Sequence, residues 1–416
     1  MKILLTSIGT RGDMEPFLAI GEILQKRGHE IICLFPEQFR SLAEDSGFRF
    51  ASLGSEFIEM LEGPVGTKVM GGGKLSFSKL KAYIQLAKMQ KDINKEMILK
   101  QEKVIEEEQP DRIVHNGKVM YPVVWGMKHP GQRIMVSPVP YLHYVKDHSH
   151  LAFNRNFGPF INKLTYDLAN FGLIKTISGS LKWLAQPKQL STKAIKHALF
   201  SERVIYTISP TLFKRPEYWN ENIQVLGYHE RQKTSHWKPS KELDAFMAKH
   251  EKILLVTFGS MINTNPVEKT KVFLTILQEN KIPAIINTAS GGLIQPAIYN
   301  TDFLHFVDRI PYDYIFPKLY GVIHHGGSGT THTAVKYGCA SMIIPHIIDQ
   351  YVWNKIIHKK GLGPLGIDVS EITVKNLEDK IIDLYSNPDY KQMAEKLGKE
   401  IQNEAFSDEL CNAIES

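Results

Sequence analysis

Cysteine is scarce in this sequence, which has three cysteines among 416 residues and no C-x-x-C pair. Cys33, Cys339 and Cys411 lie far apart, and their number is odd. Such a set excludes a disulfide framework and a cysteine-based zinc site as the foundation of the fold. We therefore expect a reducing, cytoplasmic setting.

Long apolar runs are missing as well. No stretch reaches the roughly 18 uncharged apolar residues that a membrane-spanning helix needs. The apolar run at the N-terminus ends at Gly9, which is too short for a signal peptide. We expect neither a membrane span nor a secretory leader.

The sequence has no long run of residues with the same charge. The chain has 50 basic and 44 acidic residues, a formal net charge of +6, and the basic residues are scattered along helix-like stretches. This pattern argues against nucleic acid as a partner, although it allows weak contact with a membrane surface. The length exceeds the roughly 250–300 residues at which one hydrophobic core stops growing, so we expect two domains.

The first half alternates between strand and helix patterns. The apolar run 2–8 is closed by a glycine, and apolar residues follow at helical spacing from Pro16. Further strands are predicted at 29–35, 48–53, 111–115, 132–137 and 204–209. This alternation predicts a doubly wound parallel sheet. The aromatic stretch 141–200 has no strand pattern, so we expect helices and loops there.

The alternation restarts after a polar, proline-containing break near residue 239. Strands are predicted at 253–258, 284–288, 304–307, 321–324 and 342–345. The predicted fold class is therefore α/β, with two Rossmann-like domains that face a cleft. We assign 1–228 to the N-terminal domain and 229–395 to the C-terminal domain. A helical tail, 396–416, is expected to pack back on the first domain.

The segment 322–334 reads Val-Ile-His-His-Gly-Gly-Ser-Gly-Thr-Thr-His-Thr-Ala and is the most informative in the chain. A strand runs into glycines and then into a helix, so backbone amides at the helix N-terminus can face a phosphate. It matches neither a Walker loop nor the G-x-G-x-x-G fingerprint. The alternative is a tight turn that needs glycine for its conformation alone. His324 and His325 are adjacent on a strand and point to opposite faces, which argues against joint metal ligation.

Three other polar groups have two interpretations each. Asp349 and Gln350 follow a buried strand, so they can hydrogen-bond a sugar, or Asp349 can cap the following helix. Asp13 follows the first strand and can be a general base or a helix cap. His143, Asp147, His148 and His150 crowd together, for which a surface loop is favoured over a metal site.

Together these motifs resemble the GT-B nucleotide-sugar glycosyltransferases of family 1, in the branch of sterol 3β-glucosyltransferases and vancomycin-group glycosyltransferases. The resemblance lies in segments that occur in order from about residue 3 to residue 366. These segments are Gly9-Thr10-Arg11-Gly12-Asp13, Pro16-Phe17-Leu18-Ala19, Phe258-Gly259-Ser260-Met261, Ile315-Phe316-Pro317, 324–331, Pro345-His346, Asp349-Gln350 and Gly361-Leu362-Gly363-Pro364.

The resemblance implies that domain 1–228 binds the acceptor and that domain 229–395 binds the nucleotide-sugar. It also implies a role for particular residues. Asp13 would be the general base, in the loop that holds Thr10, Arg11 and Gly12. The residues implied for the donor diphosphate are His325, Gly327, Ser328, Gly329 and Thr330. Asp349 and Gln350 would hold the transferred sugar. Gly259, Ser260 and the backbone of Ile310 would contact the nucleotide.

Two departures from the wider family matter. The first loop has no histidine before His29, so Asp13 is the base available in that loop. The tryptophan that stacks on uracil in plant enzymes is absent from 307–311, which reads Val-Asp-Arg-Ile-Pro. Recognition of the uracil ring would then depend on backbone and aliphatic contacts.

The activity implied is that of an inverting, metal-independent enzyme. It would move a hexose, glucose above all, from a UDP-sugar to a hydroxyl of a small lipophilic or aromatic acceptor. No cofactor is expected, because the UDP-sugar is a co-substrate. The aromatic stretch 141–200 and the glycine-rich segment 63–73 would line the acceptor side. The alternatives are another GT-B activity, such as a lipid-linked sugar transferase or a nucleotide-sugar epimerase, and a nucleotide-sugar-binding protein without turnover.

Overall fold

The structure is a computed structural model that describes residues 1–70, 77–185, 190–231, 237–263 and 265–416. It divides into two compact units. The first comprises 1–63, 83–232 and 405–416, and the second comprises 64–82 and 233–404.

Strands and helices alternate through both units. The strands are β1 Lys2–Thr6, β2 Glu30–Phe35, β3 Arg49–Ser52, β4 Arg112–His115, β5 Arg133–Ser137, β6 Arg203–Tyr206, β7 Ile223–Val225, β8 Leu254–Thr257, β9 Ala284–Asn287, β10 Leu304–Val307, β11 Gly321–His324 and β12 Ala340–Ile343. The α-helices are α1 Arg11–Lys26, α2 Arg40–Glu44, α3 Glu56–Glu62, α4 Pro64–Met70, α5 Phe77–Glu108, α6 Tyr121–Gly126, α7 Pro159–Ser180, α8 Thr192–Ser201, α9 Lys241–Lys249, α10 Pro266–Glu279, α11 Tyr312–Ile315, α12 Ser328–Lys336, α13 Ile348–Lys359, α14 Val374–Ser386, α15 Pro388–Gln402 and α16 Ser407–Glu415. In the described part of the chain, no helix is both long enough and apolar enough to cross a bilayer.

The first unit is built on a seven-stranded parallel sheet of order β3-β2-β1-β4-β5-β6-β7. Alternate residues of each strand enter opposite cores, as the pleat requires. Ile3 and Leu5 pack with α1 and α16, whereas Leu4 packs with α5 and α6 on the other face. Both faces of this sheet are therefore covered by helices.

The last helix, α16, belongs to the first unit. Its Leu410 and Ile414 are fully buried against α1 and the sheet. Arg112 donates to the carbonyls of Ile414 and Glu415 at 3.2 and 2.9 Å, so the negative end of the helix faces a guanidinium.

The second unit contains a five-stranded parallel sheet of order β10-β9-β8-β11-β12. Leu254 and Val256 enter the core formed with α10 and α14, and Leu255 enters the core formed with α9 and α12. All five strands predicted for this half are present, although β12 starts two residues earlier than expected, at Ala340.

The prediction of two doubly wound parallel sheets is confirmed, and several boundaries differ from those expected. The short strand β7 was not predicted. Helix α1 begins at Arg11 instead of Pro16, so the expected loop is shorter. Residues 64–70 of the predicted glycine-rich loop are helical, and 71–73 lie outside the described residues. The expected boundary at residue 396 falls inside α15, and the last part of the first unit starts at residue 405.

Candidate functional site

The first unit has a topological switch point between β1 and β4. The chain runs from β1 to β2 and β3 on one side and then returns through β4 on the other. Ligands of open α/β sheets bind at the carboxyl ends of strands at such a point. Residues 7–10 follow β1 there, and 116–118 follow β4.

Asp13 lies on the first turn of α1, directly above this point. Its Oδ2 accepts the backbone N–H of Thr10 at 2.8 Å, which satisfies one of the exposed amides of the helix start. Gly9 has a φ of +143°, and a Cβ at that position would lie 2.0 Å from Asp13 Oδ2. Asp13 therefore has the capping role that the sequence allowed, and it caps from the third helical position. Only glycine leaves room for its carboxylate at residue 9.

The other carboxylate oxygen of Asp13 is bound by a lysine that the sequence motifs did not identify. Lys118 Nζ lies 2.7 Å from Asp13 Oδ1. The Asp13 side chain is 24% exposed and that of Lys118 is 56% exposed. Asn116 joins the same two loops, because its Nδ2 donates to Ser7 Oγ at 2.8 Å and to the Ile8 carbonyl at 2.9 Å. Lys118 lies 105 residues from Asp13, and only the strand order β1-β4 brings it near.

The neighbours of Asp13 in the predicted loop differ in what they present. Arg11 is exposed and its Nε donates to Glu15 Oε1 at 2.9 Å, four residues along the helix. Gly12 is exposed, and a Cβ there would have only Thr10 Oγ1 nearby, at 3.8 Å. The helix start is therefore open to solvent beside the Asp13 carboxylate.

The second unit has its switch point between β8 and β11. The chain moves from β8 to β9 and β10, then continues through β11 on the opposite side of β8. Gly259 and Ser260 follow β8, and the loop 325–327 follows β11. These two predicted segments therefore meet at one edge of the sheet.

The imidazole of His325 lies between two glycines from these segments. A Cβ on Gly259 would approach His325 Cε1 to 2.9 Å, and one on Gly327 would approach Nε2 to 2.5 Å. The ring is buried, and its Nδ1 has no hydrogen-bond partner within the protein. Burial, with His324 and His346 nearby, holds the pKa of His325 well below its usual value. The ring is a neutral group with one donor and one acceptor nitrogen.

Helix α12 begins immediately after this ring. Gly327 is its N-cap residue, and the helical ladder starts with the Thr331 N–H, which donates to the Gly327 carbonyl at 2.9 Å. Ser328, Gly329 and Thr330 form the first turn and are partly or fully exposed. The amides of a first turn and the helix dipole together favour an anion at this end. All five predicted diphosphate residues are therefore adjacent in the structure.

In the predicted sugar-binding pair, the capping role belongs to Gln350 and not to Asp349. Helix α13 starts at Ile348 with Ile347 as its N-cap, so Asp349 is not the N-cap residue. Gln350 is 3% exposed, and its Oε1 accepts the backbone N–H groups of His346 and Ile347 at 2.7 and 3.2 Å. Gln350 performs the capping, whereas Asp349 is half-buried on the first turn.

Other polar groups at this edge were missed by sequence reasoning. Thr257 Oγ1 lies 3.0 Å from the Tyr312 hydroxyl and accepts from Asn287 Nδ2 at 3.2 Å. Thr257 and Asn287 are the last residues of β8 and β9. Their position at the ends of predicted strands is the sequence feature that could have identified them. The side chain of Ile310 is buried in the core, which leaves its backbone as the part available for a ligand.

The histidine-rich stretch 143–150 forms part of an aromatic cluster in the first unit. His143 Nδ1 lies 2.7 Å from the Tyr206 hydroxyl, and burial lowers the pKa of His143 to about 4. His148 is buried and stacks on Tyr141 with ring centroids 4.2 Å apart. The stretch is a loop, as expected, but the His143 and His148 rings pack inward into this cluster. Across the described ranges, no three side chains of the types that hold metals are grouped.

Two family models match this chain, one near each end. Residues 3–130 match the glycosyltransferase family 28 N-terminal domain, and residues 299–416 match the C-terminal domain of erythromycin biosynthesis protein CIII-like proteins. A sterol 3-beta-glucosyltransferase of Arabidopsis thaliana is 28% identical over 97% of this chain and 63% of its own length. One from Saccharomyces cerevisiae is 27% identical over 96% of this chain. The chain thus spans less than two thirds of the plant relative and 34% of the yeast one.

Solved structures show the same fold. The glycosyltransferase of kitacinnamycin aligns over the whole chain with a TM-score of 0.72 and 16% identity, covering 98% of that protein. The calicheamicin glycosyltransferase CalG4 aligns with a TM-score of 0.67 and 14% identity, covering 97% of that protein. A glycosyltransferase of Streptomyces sp. SF2575, solved with thymidine diphosphate, aligns with a TM-score of 0.61 and 15% identity. The expected resemblance and the GT-B fold are confirmed.

Proposed function

We propose that this chain, whose fold is GT-B, is a glycosyltransferase that moves a hexose, glucose above all, from a UDP-sugar to a hydroxyl of a lipophilic, sterol-like acceptor. The sterol 3-beta-glucosyltransferases that resemble it along almost its whole length support the acceptor class. Because the chain covers only part of those relatives, activity, donor and acceptor are all parts of this proposal.

The observation that carries the proposal is the environment of His325. A buried imidazole with an unpartnered nitrogen is held between Gly259 and Gly327, beside the N-terminus of α12 and at a topological switch point. Buried polar atoms are seldom left without a partner, so the unpaired nitrogen favours a ligand at this edge. A diphosphate fits, because its oxygens accept from the imidazole N–H and from first-turn amides.

On the acceptor side, Asp13 is the proposed base. Oδ2 accepts from the Thr10 amide and, at 3.4 Å, from the Thr10 hydroxyl, whereas Oδ1 accepts from Lys118 and has a further lone pair for an acceptor hydroxyl. In the reaction, the acceptor oxygen forms a bond to the anomeric carbon as the bond from that carbon to the diphosphate breaks. The hydroxyl proton passes to Asp13, and the nucleoside diphosphate leaves with the electron pair. Attack opposite to the leaving group inverts the anomeric centre.

The charge that develops on the leaving diphosphate would be stabilised without a divalent ion. The positive end of α12 and the neutral His325 N–H are fixed before the reaction starts, so they need no reorganisation as charge appears. Asp349, half-buried on α13, is the proposed partner for hydroxyls of the sugar. Gln350 is occupied with capping its helix, so its contribution would be to hold Asp349 in place.

The test is to incubate the purified chain with UDP-glucose, UDP-galactose or dTDP-glucose and a sterol, a phenol or a macrolide alcohol. Products are then identified by mass spectrometry and anomeric NMR, with and without a chelator. Glucose is α-linked to the diphosphate in UDP-glucose, so inversion should give a β-linked glucoside of the sterol. The chelator should leave the rate of this reaction unchanged. Interconversion of the sugars without acceptor would instead identify an epimerase. Tight nucleotide binding with no product and no donor hydrolysis would identify a binding protein.

A further inference from the structure

Helix α7 in the first unit has an apolar face that is turned toward solvent. Phe160 is 77% exposed, Leu168 is 60% exposed, and Leu164 and Phe171 are at least half exposed. Their spacing of four, four and three residues puts all of them on one side of the helix. The outward side of a surface helix is ordinarily polar, so this stripe needs an explanation.

The orientation of the stripe is fixed by the opposite side of the helix. Asn162 Nδ2 donates to the Lys146 carbonyl at 2.9 Å, and the Tyr166 hydroxyl donates to the Ser149 carbonyl at 3.1 Å. Ile174 and Ile177 are buried in the core of the first unit. Because these contacts anchor the inner side, the helix cannot rotate to bury its outer apolar residues without breaking them.

The segment that contains α7 is basic, and Lys175 lies beside the stripe. The segment from Leu151 to Ser201 contains seven lysines and arginines and one acid, Asp167. The formal net charge of this segment is +6, the same as that of the entire chain. The segment therefore accounts for the positive balance of the protein, although its basic residues are not consecutive. Lys175 lies on the same side of α7 as the stripe, with Nζ 5.5 Å from the Phe171 ring centroid. On the neighbouring α8, Lys196 lies 5.9 Å from the centroid of the exposed Phe200 ring.

From this combination we infer that the outer side of α7, with the lysines beside it, docks on an anionic lipid bilayer surface. Aromatic and leucine side chains enter the boundary between headgroups and acyl chains, while lysine ammonium groups pair with lipid phosphates. The chemistry favours a bilayer over a second copy of the chain, because two faces with this charge would repel each other.

Docking through the outer side of α7 would bring the chain to the bilayer in which a lipophilic acceptor is dissolved. Only this connection between docking and acceptor rests on the proposed function. Binding to the bilayer itself depends only on the α7 face. The two are separated experimentally, since transfer to a water-soluble alcohol needs no membrane. A failure of the docking surface would leave that reaction intact.

The experiment is co-sedimentation of the purified chain with phosphatidylcholine vesicles that either contain or lack phosphatidylglycerol. The apolar variant is Phe160→Ser with Leu168→Ser, and the charge variant is Lys175→Gln with Lys196→Gln. Ile298→Ser is the matched control, because Ile298 is 90% exposed and lies in the second unit. Thermal melts confirm that each variant is folded.

We expect the wild-type chain to bind vesicles with phosphatidylglycerol and to be released by salt. Removal of one lysine near an anionic surface weakens binding roughly fivefold, so the charge variant should bind about 25-fold more weakly. The apolar variant should lose at least tenfold, and Ile298→Ser should bind like wild type. Equal binding by all variants, or no binding by the wild type, would overturn the inference. So would a wild-type dimer that the apolar variant converts to monomers, because the face would then be a contact between copies.

Discussion

Lys118 Nζ lies 2.7 Å from Asp13 Oδ1, so the carboxylate proposed as the catalytic base is held by a lysine from a different strand end. The Thr10 amide holds the other oxygen, and Gly9 leaves the space that the carboxylate occupies. Asp13 is thereby fixed in one orientation at the end of β1. Position of a catalytic group matters strongly, since a shift of about 1 Å can lower a rate by roughly 10²-fold.

Lys118→Met should therefore lower the rate of sugar transfer by about tenfold to a hundredfold while nucleotide affinity stays unchanged. Lys118→Arg retains the charge and should recover part of the rate. The ion pair is partly exposed, so the free energy of unfolding should change by less than about 1 kcal/mol. Steady-state kinetics with a chemical denaturation curve for each variant supply the measurements. A rate for Lys118→Met equal to wild type would limit the lysine to a surface role.

The glycines around His325 lead to a second prediction. Gly327→Ala would place a methyl group 2.5 Å from His325 Nε2, which displaces the ring. We expect both Gly327→Ala and His325→Ala to weaken UDP binding at least tenfold by calorimetry. If the glycine acts through the ring, the double variant should be no weaker than His325→Ala alone. Gly172→Ala, with open space around the added methyl, serves as the control. Additive losses would mean that the two residues contact the nucleotide independently.

Buried histidines predict how stability depends on pH. Burial lowers the pKa of His324 to about 3 and that of His346 to about 4, against about 6.5 in an unfolded chain. Between these values the unfolded chain binds more protons than the folded one, so stability rises with pH. The stabilisation is complete above about pH 6.5 and is lost on acidification toward pH 4.

Each of these histidines should account for a loss of the order of 1–2 kcal/mol in the free energy of unfolding between pH 7 and pH 5. Urea unfolding at several pH values measures this. His346→Gln should make the dependence shallower, because glutamine takes up no proton. An unfolding free energy that is flat from pH 7 to pH 5 would contradict the assignment of these rings as neutral and buried.

A buried charge cluster stabilises the first unit. Glu202 Oε1 lies 2.5 Å from His115 Nε2 and 2.9 Å from Arg133 Nε, and all three side chains are almost fully buried. Glu202→Ala leaves a buried guanidinium without its partner, so the unit should lose about 3–5 kcal/mol. Glu30→Ala removes an exposed ion pair with Arg49 and should change stability by less than about 1 kcal/mol. Similar melting curves for the two variants would contradict this account.

Most strands could be predicted from sequence because they are short apolar runs closed by glycine, proline or a polar residue, whereas the three-residue strand β7 was too short to be recognised. Candidate site residues could be named from the sequence where they lie in short motifs directly after a strand, as in 259–260 and 325–330. Lys118 could not be found in this way, since its contact with Asp13 depends on the placement of β4 beside β1. The roles of Asp349 and Gln350 were likewise undetermined, because a shift of the helix start by a few residues transfers the capping function between them.

The most direct test of the account is transfer of glucose from UDP-glucose to the aliphatic hydroxyl of a sterol by wild type and by Asp13→Asn. Asparagine can still accept the Thr10 amide but cannot take a proton at neutral pH. General base catalysis contributes roughly 10²–10⁴ in rate, so the account predicts a loss of that size. UDP affinity and melting temperature should be unchanged, and acidic phenols, which ionise more readily, should lose less. Transfer to the sterol at a near wild-type rate would contradict the role of Asp13 and, with it, the proposed mechanism.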